Sequence, residues 1–285
     1  MKQRSIGDIS VGSIGLGGMP MSIEGRPDRE RSIATIHAAL DAGVTLIDTA
    51  DAYHQGGDAD LGHNELLIAE ALRGYGGDTS AVLVATKGGH LRPEAGVWTQ
   101  NGRPEYLKKA ARASAQRLGV DAIGLYQYHR PDPEVPYADS IGALAELLDA
   151  GVILRAGISN ADPDQIREAH GILGDRLVSV QNQFSPKFRS SEPELELCAE
   201  LGLAFLPWSP LGGITSAAEL GTSFAAFATV AQAHDVSPQV VCLAWELAKS
   251  PTVIPIPGSS RPESIRDSAT AADLELTAEE LASLD

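Results

Sequence analysis

The sequence predicts a single α/β domain in which eight parallel strands alternate with helices and close into a (β/α)8 barrel. Three observations carry this. Short β-branched or aliphatic runs alternate with helical patterns along the whole 285-residue chain. The eight runs are spaced by about 30 or more residues, one βα unit each. No break in composition divides the chain, so one barrel over 1–285 accounts for a length that could otherwise hold about two domains.

The elements follow in order. Residues 3–11, with Gly7-Asp8 at their centre, predict a small hairpin closing the bottom of the barrel. The strand runs lie at 13–16, 44–48, 81–87, 123–129, 153–159, 177–181, 204–207 and 252–256. Between the first two, Ile33, Ile36 and Leu40 share one helical face, and Gly43 stops the helix. Asp162-Pro163-Asp164-Gln165 has the form of an N-cap, an N1 proline and a capping-box partner, and Ser237-Pro238 repeats the cap and proline. The longest irregular stretches, 55–63 and 88–103, follow strands on the side where barrels place their sites, and so are candidate substrate loops. A doubly wound sheet would need a glycine fingerprint after the first strand. Gly15-Leu16-Gly17-Gly18-Met19-Pro20 supplies only part of one, with proline where the third glycine should stand.

Composition narrows the function. With 43% hydrophobic and 21% charged residues the chain can bury a sizeable core. Lys and Arg number 22 against 38 Asp and Glu, a net charge of −16, which argues against nucleic acid as a partner. An anionic ligand would need a local basic patch. Cys198 and Cys242 lack metal-ligand spacing, so neither a metal site nor a disulfide scaffold is expected. The longest wholly apolar stretch, 240–245, is far short of a membrane span. A cytosolic protein without membrane attachment is expected; oligomeric state is not indicated.

Strand ends carry the chemistry, because in a barrel they converge on one mouth. Strand two ends at Asp48, three at Lys87, four at His129, five at Ser159-Asn160, six at Gln181 and seven at Trp208-Ser209. Singly, each has a structural explanation: a cap, a solvated lysine, a core tryptophan. Together, a charged pair, an imidazole and two amides aimed at one cavity exceed what packing requires. Tyr53 lies five residues beyond Asp48, so both can face the mouth. A tyrosine titrates at about 10; a lysine ammonium beside it would lower that value, and an aspartate would keep the lysine charged. His129 could hydrogen-bond an oxygen on which negative charge develops. This set suits proton delivery to a carbonyl oxygen. No side chain donates hydride, so a cofactor is implied.

At these residues the sequence resembles the aldo-keto reductase family over essentially the whole chain. Gly43-Val44-Thr45-Leu46-Ile47-Asp48-Thr49-Ala50, Tyr53, Asn64-Glu65 and Glu70-Ala71-Leu72 resemble its first signature, and Gly151 through Asn160 its second. The resemblance implies a barrel, NADPH or NADH, and a tetrad of Asp48, Tyr53, Lys87 and His129 acting on a small carbonyl substrate. It implies that Ser159, Asn160 and Gln181 hold the nicotinamide carboxamide and that Trp208 stacks on the ring. Gly18, Met19, Ser209, Pro210, Leu211, Gly212, Ile256 and Gly258 would complete the cofactor groove, with Asp267-Ser268 at the adenine. Trp208 through Gly213, with Pro257-Gly258-Ser259-Ser260, most resembles bacterial pyridoxal-reductase-like members. The chain departs from the family pattern in His54, in the insertion 55–62, in Ala161 and in Gly258, where many members carry lysine.

The phosphates can also be placed from the residues. Pro262 at an N1 position starts the last barrel helix and puts Ser259, Ser260 and Arg261 at its N-terminus, an anion site. Its guanidinium favours the 2′-phosphate of NADPH, with NADH possible. His54, His90 and Trp98 lie in the candidate substrate loops; His54 and Trp98 are the substrate contacts expected. Two rivals stay open: a Schiff-base aldolase or isomerase using Lys87, and a nucleotide-binding sensor with little turnover.

Overall fold

Parallel pairing of short aliphatic strands builds the scaffold. The computed structural model describes residues 1–213 and 216–285, the side chain of Asp58 apart. An antiparallel hairpin of β1 (Gln3–Ile6) and β2 (Ile9–Gly12) comes first, turning at Gly7 with φ +58°. Seven strands then form one parallel sheet: β3 (Leu16–Gly17), β4 (Leu46–Asp48), β5 (Leu83–Gly88), β8 (Leu125–Tyr128), β9 (Ala156–Ser159), β10 (Leu177–Gln181) and β11 (Ala204–Phe205), side by side in that order. An extended segment at 252–258 fills the gap between β11 and β3. Phe205 N–H donates to Thr252 and Ile254 N–H donates back to Phe205, while Gly15 and Gly17 N–H groups donate to Pro255 and Pro257. Pro255 and Pro257 have no N–H to return on the β3 side, so the donor that closes the ladder there is Ser259, whose N–H reaches the Gly17 carbonyl at 3.4 Å.

Helices follow the strands: α1 (Arg29–Asp41), α2 (His63–Gly74), α3 (Pro104–Leu118), α4 (Tyr137–Asp149), α5 (Pro163–Leu173), α6 (Glu192–Leu201), α9 (Pro238–Lys249) and α10 (Pro262–Thr270). α7 (Leu220–Ser223), α8 (Ala225–His234) and the final α11 (Ala278–Leu284) are additional. The expected caps form. Asp162 and Gln165 make a reciprocal capping box at α5, and Ser237 accepts from Val240 N–H at α9. Among the described residues no helix is long and apolar enough to cross a membrane.

Two of the expected loops contain regular structure. Residues 88–103 carry a second antiparallel hairpin, β6 (His90–Glu94) with β7 (Val97–Gln100), and 55–63 contain a 3-10 turn at Asp58–Asp60 before α2 begins at His63. Several strands are shorter than the runs that predict them, β3 covering Leu16–Gly17 and β11 Ala204–Phe205.

The core is layered. Leu46, Leu83, Leu125, Val178 and Ile254 meet in one cluster with Ile6 and Val11 of the first hairpin. Strand residues such as Tyr126 and Ile158 pack outward with helix residues such as Ile141 and Trp245. Glu246 departs from this apolar pattern. It is fully buried in α9, and neither carboxylate oxygen has a hydrogen-bond partner among the described residues. Burial pushes its carboxyl well above the ordinary range. A carboxyl whose folded pKa is raised destabilises the folded state progressively as pH rises from its unfolded value to its folded value. Glu246→Gln should therefore gain stability over the wild type by about 1.4 kcal/mol per pH unit above roughly pH 4.3, as far as the folded pKa. Denaturant midpoints at pH 4 and pH 8 check this; equal differences at both would refute it.

Candidate active site

The barrel register sets strand-end side chains in one layer. Asp48 pairs with Ala85 and Lys87 with Gln127, while Gln181 pairs with Ser159. Lys87 is fully buried, and its Nζ donates to Asp48 Oδ2 at 2.6 Å, to Tyr53 Oη at 2.9 Å and to the Thr49 carbonyl at 2.9 Å. Asp48 is held from two more strands, its Oδ1 accepting from Gln181 Nε2 at 2.8 Å and Gln127 Nε2 at 3.4 Å. His129, just past β8, meets the Tyr53 ring edge-on at a centroid distance of 5.7 Å. The four residues expected to act together are thus brought together.

Burial and charge set their protonation. Burial raises the Tyr53 phenol above its ordinary value, and the pull of the Lys87 ammonium offsets this only in part. The sequence predicts a net lowering; in the structure desolvation outweighs the neighbouring charge. The hydroxyl therefore keeps its proton at neutral pH. For Lys87 burial works against the ammonium, but Asp48 and then Tyr53 overcome it and hold its pKa above the ordinary value. His129 is driven well below its usual range by burial, then by Lys87, His90 and Arg130. It is a neutral imidazole, with a buried Nδ1 that has no partner among the described residues.

The asparagine and glutamate of the first signature serve the frame. Asn64 Oδ1 accepts from Thr49 at 2.6 Å, and its Nδ2 donates to the Gly18 carbonyl and to Ser22. Glu65 is buried between Thr86, the residue before Lys87, and Arg117 of α3, at 2.5 Å from each. Gly18 allows this close approach, since a Cβ there would lie 2.5 Å from Asn64 Oδ1 and 2.9 Å from the Asp48 carbonyl.

A cavity of about 1200 Å³ opens above this floor, more than the roughly 300–1,000 Å³ typical of small-ligand sites. Asp48, Tyr53 and His129 line one end. Ser159, Asn160 and Gln181 come next, then Trp208, Ser209, Pro210 and Leu211. Met19, Ile256 and Gly258, beside β3, and Ser259, Ser260, Arg261, Asp267 and Ser268, before and within α10, line it too. Asn160 and Ser209 both have left-handed backbones, with φ +56° and +51°, a conformation uncommon outside glycine that clusters at functional sites. At α10 the N-cap is Arg261 with no side-chain cap, and its first-turn residues Glu263 and Ser264 also face the cavity.

Not every expected contact is found. Gly18 is packed beneath Asp48 and does not line the cavity, nor does Gly212, whose neighbours Leu211 and Gly213 do. His54 is buried behind the wall, where its Nδ1 accepts from Gly56 N–H and its carbonyl from Arg92. Trp98 does line the cavity. It stacks on His90 at 4.7 Å and lies beneath the Arg92 guanidinium, which pairs with Glu24. Sequence reasoning did not select Glu24, Arg92 or Arg130 for the site. For Arg130 the available signal was its place directly after His129 at a strand end.

His90 faces His129 at 4.9 Å, and its pKa is lowered to about 4 by burial, then by Arg130 and Lys87. Imidazole nitrogen shifts followed by NMR should show His90 neutral from pH 8 to pH 5 and protonating only near pH 4. A midpoint at or above 6 would contradict this environment.

Comparison with known proteins agrees with this fold. The family model described as the Aldo/keto reductase family matches residues 13–285. The chain is 36% identical over 284 residues to an uncharacterized oxidoreductase of Schizosaccharomyces pombe, covering 98% of this chain and 88% of that protein. It is 32% identical to pyridoxine 4-dehydrogenase of Escherichia coli, covering 99% and 96%. The crystal structure of an aldo/keto reductase from Klebsiella pneumoniae in complex with NADP and acetate superposes with a TM-score of 0.82 at 26% identity, covering 100% of this chain and 94% of that one. With the barrel, the buried Asp–Lys–Tyr cluster and a family match over nearly its whole length, this chain belongs to the aldo/keto reductase family.

Proposed function

We propose that the protein reduces an aldehyde or ketone to the alcohol with NADPH, Tyr53 acting as the general acid. The carrying observation is the Tyr53 hydroxyl, 2.9 Å from a buried ammonium that is itself held by Asp48, on the floor of a cavity with room for a dinucleotide and a small substrate. The cofactor fits the residues present. The buried Nε1 of Trp208 lacks a partner among the described residues, and the uncapped start of α10 with Ser259, Ser260 and Arg261 suits phosphate. Ser159, Asn160 and Gln181 would hold the carboxamide, Trp208 the ring, and Ser209, Pro210 and Leu211 the pyrophosphate. Met19, Ile256 and Gly258 would wall the groove, with Asp267 and Ser268 towards the adenine. When bound, the nicotinamide supplies the hydride.

The chain's own part is the proton. Tyr53 Oη, protonated at neutral pH, delivers its proton to the carbonyl oxygen as charge develops there. Lys87 stabilises the phenolate left behind, and Asp48 keeps Lys87 charged and fixed. Neutral His129 hydrogen-bonds the same oxygen without competing for the proton. Two observations weigh against Lys87 as a Schiff-base nucleophile: its amine is held charged, and it does not line the cavity. A pyridoxine 4-dehydrogenase among the relatives supports assaying pyridoxal-like aromatic aldehydes first. The proposal takes 1–285 as one barrel domain with the hairpin β1–β2 sealing the end opposite the mouth, supported by Ile6 and Val11 packing among the strand residues.

Tyr53→Phe should lower kcat for carbonyl reduction by about 10²–10⁴ while the NADPH dissociation constant stays within about twofold. Equal losses in both would make Tyr53 a structural residue. Arg261→Ala should weaken NADPH by about tenfold and leave NADH within about twofold, as expected for one lost charge-assisted contact. Fluorescence titration with each nucleotide measures this, and equal weakening would move the 2′-phosphate elsewhere.

A further inference from the structure

Resting on the carbonyl-reductase reading, we propose that the natural substrate carries an anionic group, a carboxylate, beside or near its carbonyl, and that Arg130 is the residue that selects it. Arg130 lines the cavity with Tyr53, His90 and His129, and its charge acts on both imidazoles. One Nη donates to Asn160 Oδ1 at 3.2 Å, which fixes the guanidinium. Its Nε is buried without a hydrogen-bond partner among the described residues.

The charges around it leave Arg130 uncompensated. Lys87 is matched by Asp48 at 2.6 Å, and Arg92 is matched by Glu24. His90 and His129 are both held neutral, and every charged neighbour acting on them is a cation: Lys87 and Arg130. Among the described residues Arg130 has no carboxylate within ion-pair distance. The carbonyl end of the cavity therefore holds one unmatched positive charge, in a protein whose net charge is −16. A half-buried guanidinium without a counter-ion is costly unless the missing charge arrives with the ligand. Its planar donor fork matches a carboxylate. The adjoining wall, with Trp98 stacked on His90 at 4.7 Å, offers a flat apolar surface for the rest of such a molecule.

The test separates this from the reductase reading. Binding of benzoate and of benzamide, equal in shape and differing by one charge, is measured by tryptophan fluorescence with and without saturating NADPH. The wild type should bind benzoate at least about tenfold more tightly, as expected for a charge-assisted fork. In Arg130→Gln the ratio should fall to near one, and in Arg130→Lys it should be partly kept. Equal binding by the wild type would overturn the proposal. A benzoate preference surviving in Arg130→Gln would also overturn it, since the anion would then rest on Tyr53 and His129. Turnover of 2-carboxybenzaldehyde, with its carboxylate beside the carbonyl, against its methyl ester should show the same preference in KM. Absence of NADPH oxidation with both aldehydes would sink the reductase reading, while the binding ratio would still decide the role of Arg130.

Discussion

A lysine ammonium buried at the centre of a barrel is the constraint around which the molecule is organised. An isolated charge at such a depth would lose its proton or destabilise the fold. Lys87 does neither, because Asp48, Tyr53 and the Thr49 carbonyl meet it within 2.6–2.9 Å. Asp48 needs fixing in turn, and Gln127 and Gln181 reach it from other strands. Three strands besides its own thus converge on one carboxylate. Only a closed sheet with strict register brings them within reach.

The support extends outward through residues that do no chemistry. Glu65 joins Thr86, one residue before Lys87, to Arg117 on the outer helix α3, and Asn64 ties the loop after β3 to the strand end at Thr49. The same two residues belong to the sequence signature that marks the family. Positions that look functional in sequence can thus act by holding geometry. Gly18, directly after β3, belongs with them, since it is packed against Asn64 and Asp48.

The cavity is electrically uneven. At the α10 end, Ser259, Ser260 and Arg261 gather around an uncapped helix start. At the carbonyl end the ion pairs cancel, the imidazoles are neutral, and the Arg130 guanidinium remains. An overall acidic chain thus carries positive groups at two points of its cavity, and fields inside a walled cleft are set by the nearest groups and screened from the rest.

By itself the sequence determined the alternation of strands and helices, the caps at Asp162 and Ser237, and the strand-end residues Asp48, Lys87, His129, Ser159, Asn160 and Gln181. These are local properties of period, punctuation and chain position. Tertiary structure alone decided the rest. The hairpin β6–β7 was hidden because Pro93 and a mixed polar pattern give β6 no alternation, and its pairing with β7 is seen only once both strands are placed. The eighth strand is defined by its bonds to Phe205 on one side and to Gly15 and Gly17 on the other, the latter far away in sequence. The direction of the Tyr53 pKa followed burial, which depends on everything packed around the ring. His54 turned behind the wall, and Arg130 became an unmatched charge, for one reason: a side chain's surroundings are supplied by the whole fold, and its own segment does not encode them.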